Sequence, residues 1–475
     1  MSVDTLPEGW KKDAIGNLIE SSNTGLVRGA KDQSSSKQFD YFKMNNLNVK
    51  GDFEINNLIK VDASEDEVSK FSLNYNDFIF NTRNSVELVG KCGVFLHRTE
   101  ETILFNNNLL RIRFHKIEPK IIAYWFNSAE GKYQLRNVTS ATTSVAAIYQ
   151  KALVALDVPV PPLAEQKEIA KQLDSLLAKV DSIKNRLDAI PDIIKRFRQS
   201  VLSCAVSGKL SEEWRSKSDI SIDSWTLDKA KNLCIKVQSG STPRNKPFDQ
   251  GGKIPFLKVY NIVEQKIDFD YKRQFITEEV HSKSIARSIA YPNDILMNIV
   301  GPPLGKVAVL TNQFPEWNLN QAITLFRVNP EKLNYKFLYH VLCEGALVRD
   351  VMPDTKGSVG QVNISLSQCR DALIPAPTLP EQDAIVSRID QLFSFADKVE
   401  QKVIAAQDRV NNLTQSILAK AFRGELTTEW RELNQALITG ENSAEALLAK
   451  IKAEREALSK KKAPKKKTTA RKTKA

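Results

Sequence analysis

The chain has 475 residues, of which 42% are apolar and 8% aromatic, and at roughly 150 residues per domain this length allows about three ordinary soluble domains. No run of about 18 uncharged apolar residues is present and the first ten residues do not resemble a signal peptide, so we expect a cytoplasmic protein with no membrane partner. Five widely spaced cysteines and four histidines argue against a disulfide framework or a structural zinc site.

The formal charge of +12 is concentrated at one end of the chain. Residues 460–474 contain eight lysines and Arg471 but no acid, which leaves 59 basic against 56 acidic residues elsewhere. A segment so rich in Lys, Thr and Ala cannot bury enough apolar surface to fold, so we expect a disordered basic tail at residues 460–475. The tail is either simply solvated or makes weak, salt-sensitive contacts with DNA. Net charge alone therefore does not establish DNA binding.

Residues 1–157 are predicted to form a globule of mixed strands and helices. Short runs of Ile, Val and Phe separated by Gly, Asn and Pro are typical of strands, and residues 119–129 have the pattern of an amphipathic helix. Residues 158–215 follow with apolar side chains at alternating steps of four and three, as in coiled-coil heptads. Pro191 predicts a kink or break in this helix, and Gly208 is a typical left-handed stop. The heptad positions include Ile169, Leu173, Leu176, Val180, Ile183, Leu187 and Ile190.

The second half of the chain repeats this order. Residues 216–373 are predicted to form a second globule with an amphipathic helix at 334–348. Residues 374–431 are predicted to form a second heptad helix, which has Gln407 where the first has Pro191 and ends at Gly424. Residues 432–459 are expected to form a C-terminal helical segment. The second set of heptad positions includes Ile385, Ile389, Leu392, Ala396, Val399, Val403, Ala406, Val410, Leu413 and Ile417.

A constant offset of 216 residues aligns 159–215 with 375–431 without gaps. Coiled-coil composition alone would not repeat both the proline-rich helix start and the Gly-x-Leu exit. The globules are related more distantly than the helices. Well-kept helices beside diverged globules indicate a shared docking surface and two separately tuned recognition surfaces. We expect the two helices to pair antiparallel within one chain; a coiled coil that dimerises two chains is the alternative. The recurring residues include Pro159, Pro161, Leu163, Glu165, Gln166, Gly208 and Arg215, which correspond to Pro375, Pro377, Leu379, Glu381, Gln382, Gly424 and Arg431.

Several short motifs resemble catalytic sites but lack essential residues. The segment 301–307 is one residue short of a P-loop and lacks the hydroxyl that would hold magnesium. Its Pro-Pro pair has neither the preceding Asp or Asn nor the following aromatic residue of an amino-methyltransferase motif. Pro191, Asp192 and Lys195 resemble part of a nuclease metal site, but no cluster of acids supports them. We expect no catalytic centre, no metal and no bound cofactor in this chain.

Two motifs carry a resemblance to a known family. One is Pro161, Pro162, Leu163, Ala164, Glu165 and Gln166 with its echo at residues 377–382, and the other is Leu6, Pro7, Glu8, Gly9 and Trp10. With the heptads, they resemble the DNA-specificity (S) subunits of type I restriction–modification enzymes, closest to the type IA group. The resemblance covers nearly the whole chain, and the basic tail beyond Ser459 is its one departure.

The resemblance implies two target recognition domains, each reading half of a bipartite, asymmetric site in double-stranded DNA. It also implies that the paired helices hold these domains apart and bind two modification subunits, with restriction subunits in the full complex. S-adenosylmethionine, ATP and Mg would then act on those partner subunits. The expected fold class is α/β (mixed α+β), with two duplicated target recognition domains and two long antiparallel coiled-coil helices related by internal pseudo-twofold symmetry.

Two readers on one side of B-DNA lie about one turn, on the order of 35 Å, apart, a spacing that a helix of about 40 residues, on the order of 60 Å, can hold. Base edges are read by polar side chains on exposed loops, although a phosphate contact or a solvated loop fits each candidate equally well. The candidates are Lys43, Asn46, Arg83, Lys91, Thr142, Thr143 and Ser144 in the first domain and Lys258, Asn261, Asn298, Lys306, Lys356, Ser358 and Gln361 in the second.

The sequence therefore predicts a non-catalytic specificity subunit that directs adenine methylation or ATP-dependent restriction to its target. Two alternatives stay open at this point. One is a self-sufficient DNA methyltransferase or nuclease with an unrecognised site, and the other is a coiled-coil adaptor without DNA affinity.

Overall fold

The computed structural model describes residues 6–143, 145–243, 248, 251–351 and 363–462, with side chains up to residue 457. It divides into two compact units. The first unit comprises Met1–Arg186 with Ala406–Ala475, and the second comprises Leu187–Ala405. Each unit therefore combines a globule with parts of both heptad regions, and the predicted domain borders at 157, 215, 373 and 431 stay predictions.

The first globule contains short strands and helices in mixed order. Its strands are β1 (Lys11–Ala14), β2 (Ile19–Thr24), β3 (Gln33–Ser34), β4 (Phe39–Phe42), β5 (Ile59–Val61), β6 (Asp77–Asn81), β7 (Arg83–Asn84), β8 (Cys92–Phe95), β9 (Ile103–Phe105), β10 (Leu109–Phe114), β11 (Ser140–Ala141), β12 (Ala146–Ala147) and β13 (Asp157–Val160). Its helices are α1 (Ile15–Leu18), α2 (Glu65–Phe71), α3 (Pro119–Asn127), α4 (Ala129–Asn137) and α5 (Gln150–Leu153).

The first heptad region and the second globule follow. The helices are α6 (Leu163–Asp188), α7 (Ile190–Val206), α8 (Glu212–Lys217), α9 (Ala230–Leu233), α10 (Tyr335–Glu344), α11 (Ala346–Val351) and α12 (Leu366–Asp371). The strands are β14 (Thr226–Lys229), β15 (Cys234–Ser239), β16 (Ile254–Leu257), β17 (Ile262–Val263), β18 (Lys266–Ile267), β19 (Phe275–Ile276), β20 (Ile295–Asn298), β21 (Val307–Val309), β22 (Asn318–Leu319), β23 (Ile323–Val328) and β24 (Leu373–Ala376). The chain ends with α13 (Leu379–Phe422), α14 (Thr428–Leu433) and α15 (Ala444–Lys462).

The two globules share the topology of their central sheet and of the ribbon that joins their ends, which confirms that they are divergent copies. The antiparallel sheet β2-β10-β6-β8 of the first corresponds to β15-β23-β20-β21 of the second, and the ribbon β1-β13 corresponds to β14-β24. Strand β4 pairs parallel with β9, as β16 does with β22. Each central sheet also holds a buried carboxylate, Asp77 or Asp294, that accepts hydrogen bonds from Arg113 or Arg327.

The heptad regions form the long helices that the sequence predicts. The first is broken between Asp188 and Ile190, just before Pro191, whereas α13 runs unbroken over 44 residues. Gly208 and Gly424 end these regions at φ 77° and 71°, so both predicted left-handed stops are confirmed. A Cβ on Gly424 would also lie 2.5 Å from Pro7 Cγ, a position that only glycine tolerates.

Each unit packs the start of one heptad region against the end of the other. In the first unit, Ile169 and Leu173 of α6 share a core with Leu418 and Phe422 of α13. The second unit packs Val201 and Ala205 of α7 against residues 385–389 of α13. The antiparallel pairing therefore closes within the chain, as expected. Not every heptad position is buried, since Ile183 and Leu413 are 44% and 42% exposed.

The C-terminal helix α15 belongs to the first unit. Leu447 and Ile451 are buried in the core that contains Trp10, and Lys11 forms an ion pair with Glu445 at 3.2 Å. The two ends of the described chain therefore meet in one core. Within the described ranges, no helix combines the length and apolar character needed to span a bilayer.

Candidate nucleic-acid interface

The start of α6 and the exit from α13 meet in a buried polar site that we call the first junction: Trp10, Glu165, Gly424, Thr427 and Arg431. The Glu165 carboxylate is fully buried. Its Oε1 accepts hydrogen bonds from Arg431 Nη1 and Thr427 Oγ1, each at 2.7 Å, and its Oε2 accepts one from Trp10 Nε1 at 2.9 Å. Arg431 Nη2 donates to the Gly424 carbonyl at 2.9 Å. The repeated Glu and Arg thus tie one helix start to the other helix exit.

The second junction repeats this arrangement with Ser211 in place of threonine: Gly208, Ser211, Arg215, Trp225 and Glu381. Glu381 Oε1 accepts from Arg215 Nη1 at 2.6 Å and from Ser211 Oγ at 2.7 Å. Arg215 Nη2 donates to the Gly208 carbonyl at 2.7 Å. Glu381 Oε2 and Trp225 Nε1, however, are buried without a hydrogen-bond partner among the described residues. The second junction therefore lacks the hydrogen bond between tryptophan and glutamate that the first one has.

The glutamine that follows each of these glutamates fixes the adjoining globule. Gln166 Nε2 donates to the Pro161 carbonyl at 2.8 Å, and its Oε1 accepts the Glu118 backbone N–H just before α3 at 2.9 Å. Gln382 likewise donates to the Pro377 carbonyl, and its Oε1 accepts the Asn334 backbone N–H just before α10 at 2.7 Å. The Glu-Gln pair of the repeated motif therefore orients each globule on its long helix.

Three of the predicted base readers of the first domain come together on a small sheet. Arg83 lies on β7 and is exposed, and its strand pairs with β12, which pairs with β11. Thr142 and Thr143 lie in the hairpin between β11 and β12 and are also exposed. Thr142 Oγ1 donates to the Val145 carbonyl at 3.1 Å. This sheet, which we call the Arg83 sheet, presents a guanidinium and two hydroxyl groups to solvent.

Lys43, Asn46 and Lys91, the other described candidates of the first domain, are engaged in the fold. Asn46 Oδ1 accepts the Lys43 backbone N–H at 3.0 Å, and Lys43 Nζ donates to Gln33 Oε1 at 3.0 Å. Lys91 Nζ donates to the carbonyl of Met44 at 2.8 Å, and burial lowers the pKa of its ammonium group. These side chains have fewer free donors for DNA than Arg83 has.

In the second domain, the asparagine candidates are internal. Asn298 is fully buried and donates to the carbonyls of Val300 and Pro303 at 3.1 and 2.7 Å. Asn298 Oδ1 accepts the Lys306 backbone N–H at 2.6 Å. Asn261 is 1% exposed and donates to two backbone carbonyls, whereas the half-buried Lys258 extends its ammonium group over the Phe248 ring at 4.6 Å. Both asparagines shape loops around the lysines.

Four further candidates fall outside the described residues: Ser144, Lys356, Ser358 and Gln361. The segment 301–307 with the P-loop-like spacing forms the turn between β20 and β21, as expected for a hairpin. Across the described part of the chain, no group of three or more His, Cys, Asp or Glu side chains is placed to hold a metal ion.

Sequence reasoning did not foresee the partners of Glu165, Gln166 and their repeats. Their constant spacing marks them as structural, but spacing alone does not reveal which distant residue each one contacts. Sequence reasoning also missed Tyr271 and Lys272, which lie on the loop that Asn261 holds. The clue available in the sequence was the neighbouring pair of an aromatic and a basic residue, which is too common to be distinctive.

Comparisons with known proteins agree with this geometry. The family model described as "Type I restriction modification DNA specificity domain" matches residues 7–192 and again residues 223–406. The chain is 33% identical to the type I restriction enzyme EcoKI specificity subunit of Escherichia coli strain K12, over 98% of this chain and 100% of that protein. It is 37% identical to the EcoBI specificity subunit of Escherichia coli, over 76% and 78% of the two chains.

Solved structures resemble the fold at lower sequence identity. The HsdS subunit from Thermoanaerobacter tengcongensis has a TM-score of 0.59 at 17% identity, covering 89% of this chain and 99% of the other. A structure from work on assembly and conformational transition of the type I R-M system has a TM-score of 0.60 at 18% identity with the same coverage. At such low identity, these similarities support the fold alone.

Proposed function

Because this chain belongs to the DNA-specificity subunits of type I restriction–modification systems, we propose that it reads a bipartite, asymmetric target and carries two modification subunits to it. Recognition of DNA sequence is the role of this family. Its members, this chain included, are the non-catalytic subunits of their restriction–modification systems. The bipartite target, the number of partners and the reactions that they perform are the proposed part.

The duplication carries the proposal. Two globules of one topology differ in their exposed side chains, while the two junctions that join them to the long helices keep the same Glu, Gln and Arg contacts. Each globule can therefore change the bases it reads without disturbing its attachment. Two independent readers in one chain produce an asymmetric, two-part target.

The long helices supply a surface for partner subunits. Phe395 and Ile404 of α13 are 62% and 48% exposed, so this helix leaves two large apolar side chains accessible to a partner. We place one modification subunit on each copy of the repeat, and restriction subunits on the assembled complex. S-adenosylmethionine, ATP and Mg then act on those partners, in the cytoplasm where the DNA lies.

Methylation of DNA by the reconstituted complex tests this proposal. The purified chain alone should neither methylate nor cut DNA, and adding the modification subunits and S-adenosylmethionine should confine adenine methylation to one split target. Sequencing of the methylated positions would identify both halves. Methylation without sequence preference would contradict the proposal, and S-adenosylmethionine binding by the chain alone would favour a self-sufficient methyltransferase.

A domain exchange assigns each half of the target. Replacing residues 216–373 with the corresponding domain of a relative should change one half and leave the other intact. A change in both halves would contradict independent readers. Footprinting of the complex should give two protected blocks about one helical turn apart, whereas an adaptor without DNA affinity would give none.

A further inference from the structure

The loop at residues 268–274 of the second unit presents two tyrosine rings and an ammonium group on the protein surface. Lys272 Nζ lies 5.0 Å from the centroid of the Tyr271 ring and 5.8 Å from that of Tyr260. The two rings meet edge to face with 5.8 Å between their centroids. Tyr271 is 48% exposed. We call Tyr260, Tyr271 and Lys272 the cation–aromatic cluster.

Asn261 holds this cluster in shape. Its amide Nδ2 donates to the carbonyls of Asp268 and Tyr271 at 3.0 and 2.8 Å, and its Oδ1 accepts the Lys258 backbone N–H at 3.0 Å. The Asp268 carboxylate in turn accepts the Tyr271 backbone N–H at 3.2 Å. A loop fixed in this way loses little conformational entropy when a ligand binds. Asn261 is thus a positioning residue rather than a reader.

The chemistry of the cluster suits duplex DNA. Among the described residues, no carboxylate forms an ion pair with Lys272, and the neighbouring Asp270 pairs with Arg273 instead. An unpaired ammonium group on an ordered surface can contact a phosphate. A tyrosine beside it offers a hydroxyl group and an apolar ring edge, which can contact a base edge or a thymine methyl group.

The first unit has the same turn without the cluster. Asn46 holds Lys43 with the same 3.0 Å hydrogen bond, but the Lys43 ammonium group donates to Gln33 Oε1. The position of Tyr260 is taken there by Asn45. A contact made by the cluster therefore acts on one half of a two-part target only.

We propose that the cation–aromatic cluster binds the DNA half-site of the second domain, with Lys272 at a phosphate and Tyr271 at a base edge as a specificity-determining residue. This inference rests on the proposed function. It assigns roles to side chains that were not among the predicted base readers.

The test uses the complex of the full chain with its modification subunits. Methylation rates are measured on the wild-type target and on targets with single base-pair changes in each half, the second half being the one that the domain exchange alters. Tyr271→Ala should lower the rate on the wild-type target by about 5- to 150-fold, equivalent to about 1–3 kcal/mol. It should also relax discrimination at a base pair of the second half only.

Lys272→Ala should instead weaken binding to all sequences alike and reduce the salt dependence of binding by about one phosphate contact. Lys283→Ala is the matched control, because Lys283 is an exposed lysine of the same unit that pairs with Glu279, and it should change neither property. Tyr271→Phe removes only the hydroxyl group, so it distinguishes a contact made by that group from a contact made by the ring.

Unchanged rates and discrimination in Tyr271→Ala would overturn the inference and leave the proposed function standing, provided that the wild-type complex still methylates one split target. Equal relaxation of both halves would also overturn it. Loss of site preference in the wild-type complex would remove the proposed function and this inference together.

Discussion

Glu165 and Arg431 are 266 positions apart in the chain, yet they form a buried ion pair with 2.7 Å between Oε1 and Nη1. Glu381 and Arg215 form the equivalent pair at 2.6 Å. Each pair joins the start of one heptad region to the exit of the other. Because a buried carboxylate is costly without its cation, each pair favours the antiparallel arrangement over other pairings of the same helices.

Removing one guanidinium tests this dependence. Arg431→Met leaves the fully buried Glu165 without its cation and should destabilise the first unit by about 3–5 kcal/mol. Urea-induced unfolding, with hydrogen exchange to locate the loss, is the measurement. Arg423→Ala is the control, since Arg423 forms an exposed pair with Glu425 and its loss should leave stability nearly unchanged. Equal stability of Arg431→Met and the wild type would contradict the expected role of the pair.

The two tryptophans of the junctions should respond differently to substitution. Trp10→Phe removes the donor to Glu165 Oε2 and leaves that oxygen buried without a partner, which should cost about 1–3 kcal/mol. Trp225→Phe removes an indole N–H that already has no partner among the described residues. Its cost should therefore be smaller. The comparison of urea midpoints for the two variants decides this, and equal losses would show that packing rather than hydrogen bonding dominates at both sites.

The stability of the second unit should fall in mild acid because of His340. This side chain is 6% exposed and lies edge to face with Phe393, and burial lowers its pKa to about 4. In the unfolded chain, a histidine has a pKa of about 6.5, so the unfolded state takes up the proton first. As the pH falls from about 6.5 to about 4, this difference should remove roughly 3 kcal/mol of stability.

His340→Phe keeps a ring at this position and removes the titration. The difference in unfolding free energy between wild type and variant should therefore change across that pH range and level off below it. Comparing the two proteins cancels the pH dependence of groups that titrate alike in both. Of the charged groups near His340, Asp390 opposes the lowering of its pKa and Lys336 adds to it. A difference that is independent of pH would show that His340 is not buried in the neutral form.

Arg83 should matter for one half of the target. In the reconstituted complex, Arg83→Ala should lower methylation of the wild-type target by about 5- to 150-fold if the guanidinium contacts a base. Discrimination should relax in the half assigned to the first domain. Lys70→Ala, an exposed lysine of the same unit, is the control. Relaxed discrimination in the other half would contradict the placement of the Arg83 sheet at the first half-site.

The repeat and the long helices could be predicted because they depend on local rules. Heptad spacing, the proline in the first copy and the glycine exits act within a few turns of the chain, and α6, α7 and α13 end where these residues require. The same periodicity also marked Ile183 and Leu413 as seam positions, which are exposed. Periodicity reveals an apolar stripe, but it does not reveal how much of the stripe a partner helix covers.

The candidate interface was only partly accessible from the sequence. Arg83, Thr142 and Thr143 are polar residues in a loop-like context and prove to be exposed together. Asn298 and Asn261 have the same composition signal, yet their amides are used inside the fold. Whether an amide faces solvent or a backbone carbonyl depends on contacts with residues that pattern analysis cannot pair, as is also true of Tyr271 and its neighbours.

The junctions take their carboxylate from one repeat and their guanidinium from the other. A polypeptide ending just after Arg215 would contain Glu165 and Arg215, but it would contain the ion-pair partner of neither residue. Two such half-length polypeptides could satisfy each other by exchange, with each donating its arginine to the other's glutamate. The duplicated chain thus makes within one molecule the contacts that a single copy of the repeat could make only by self-association.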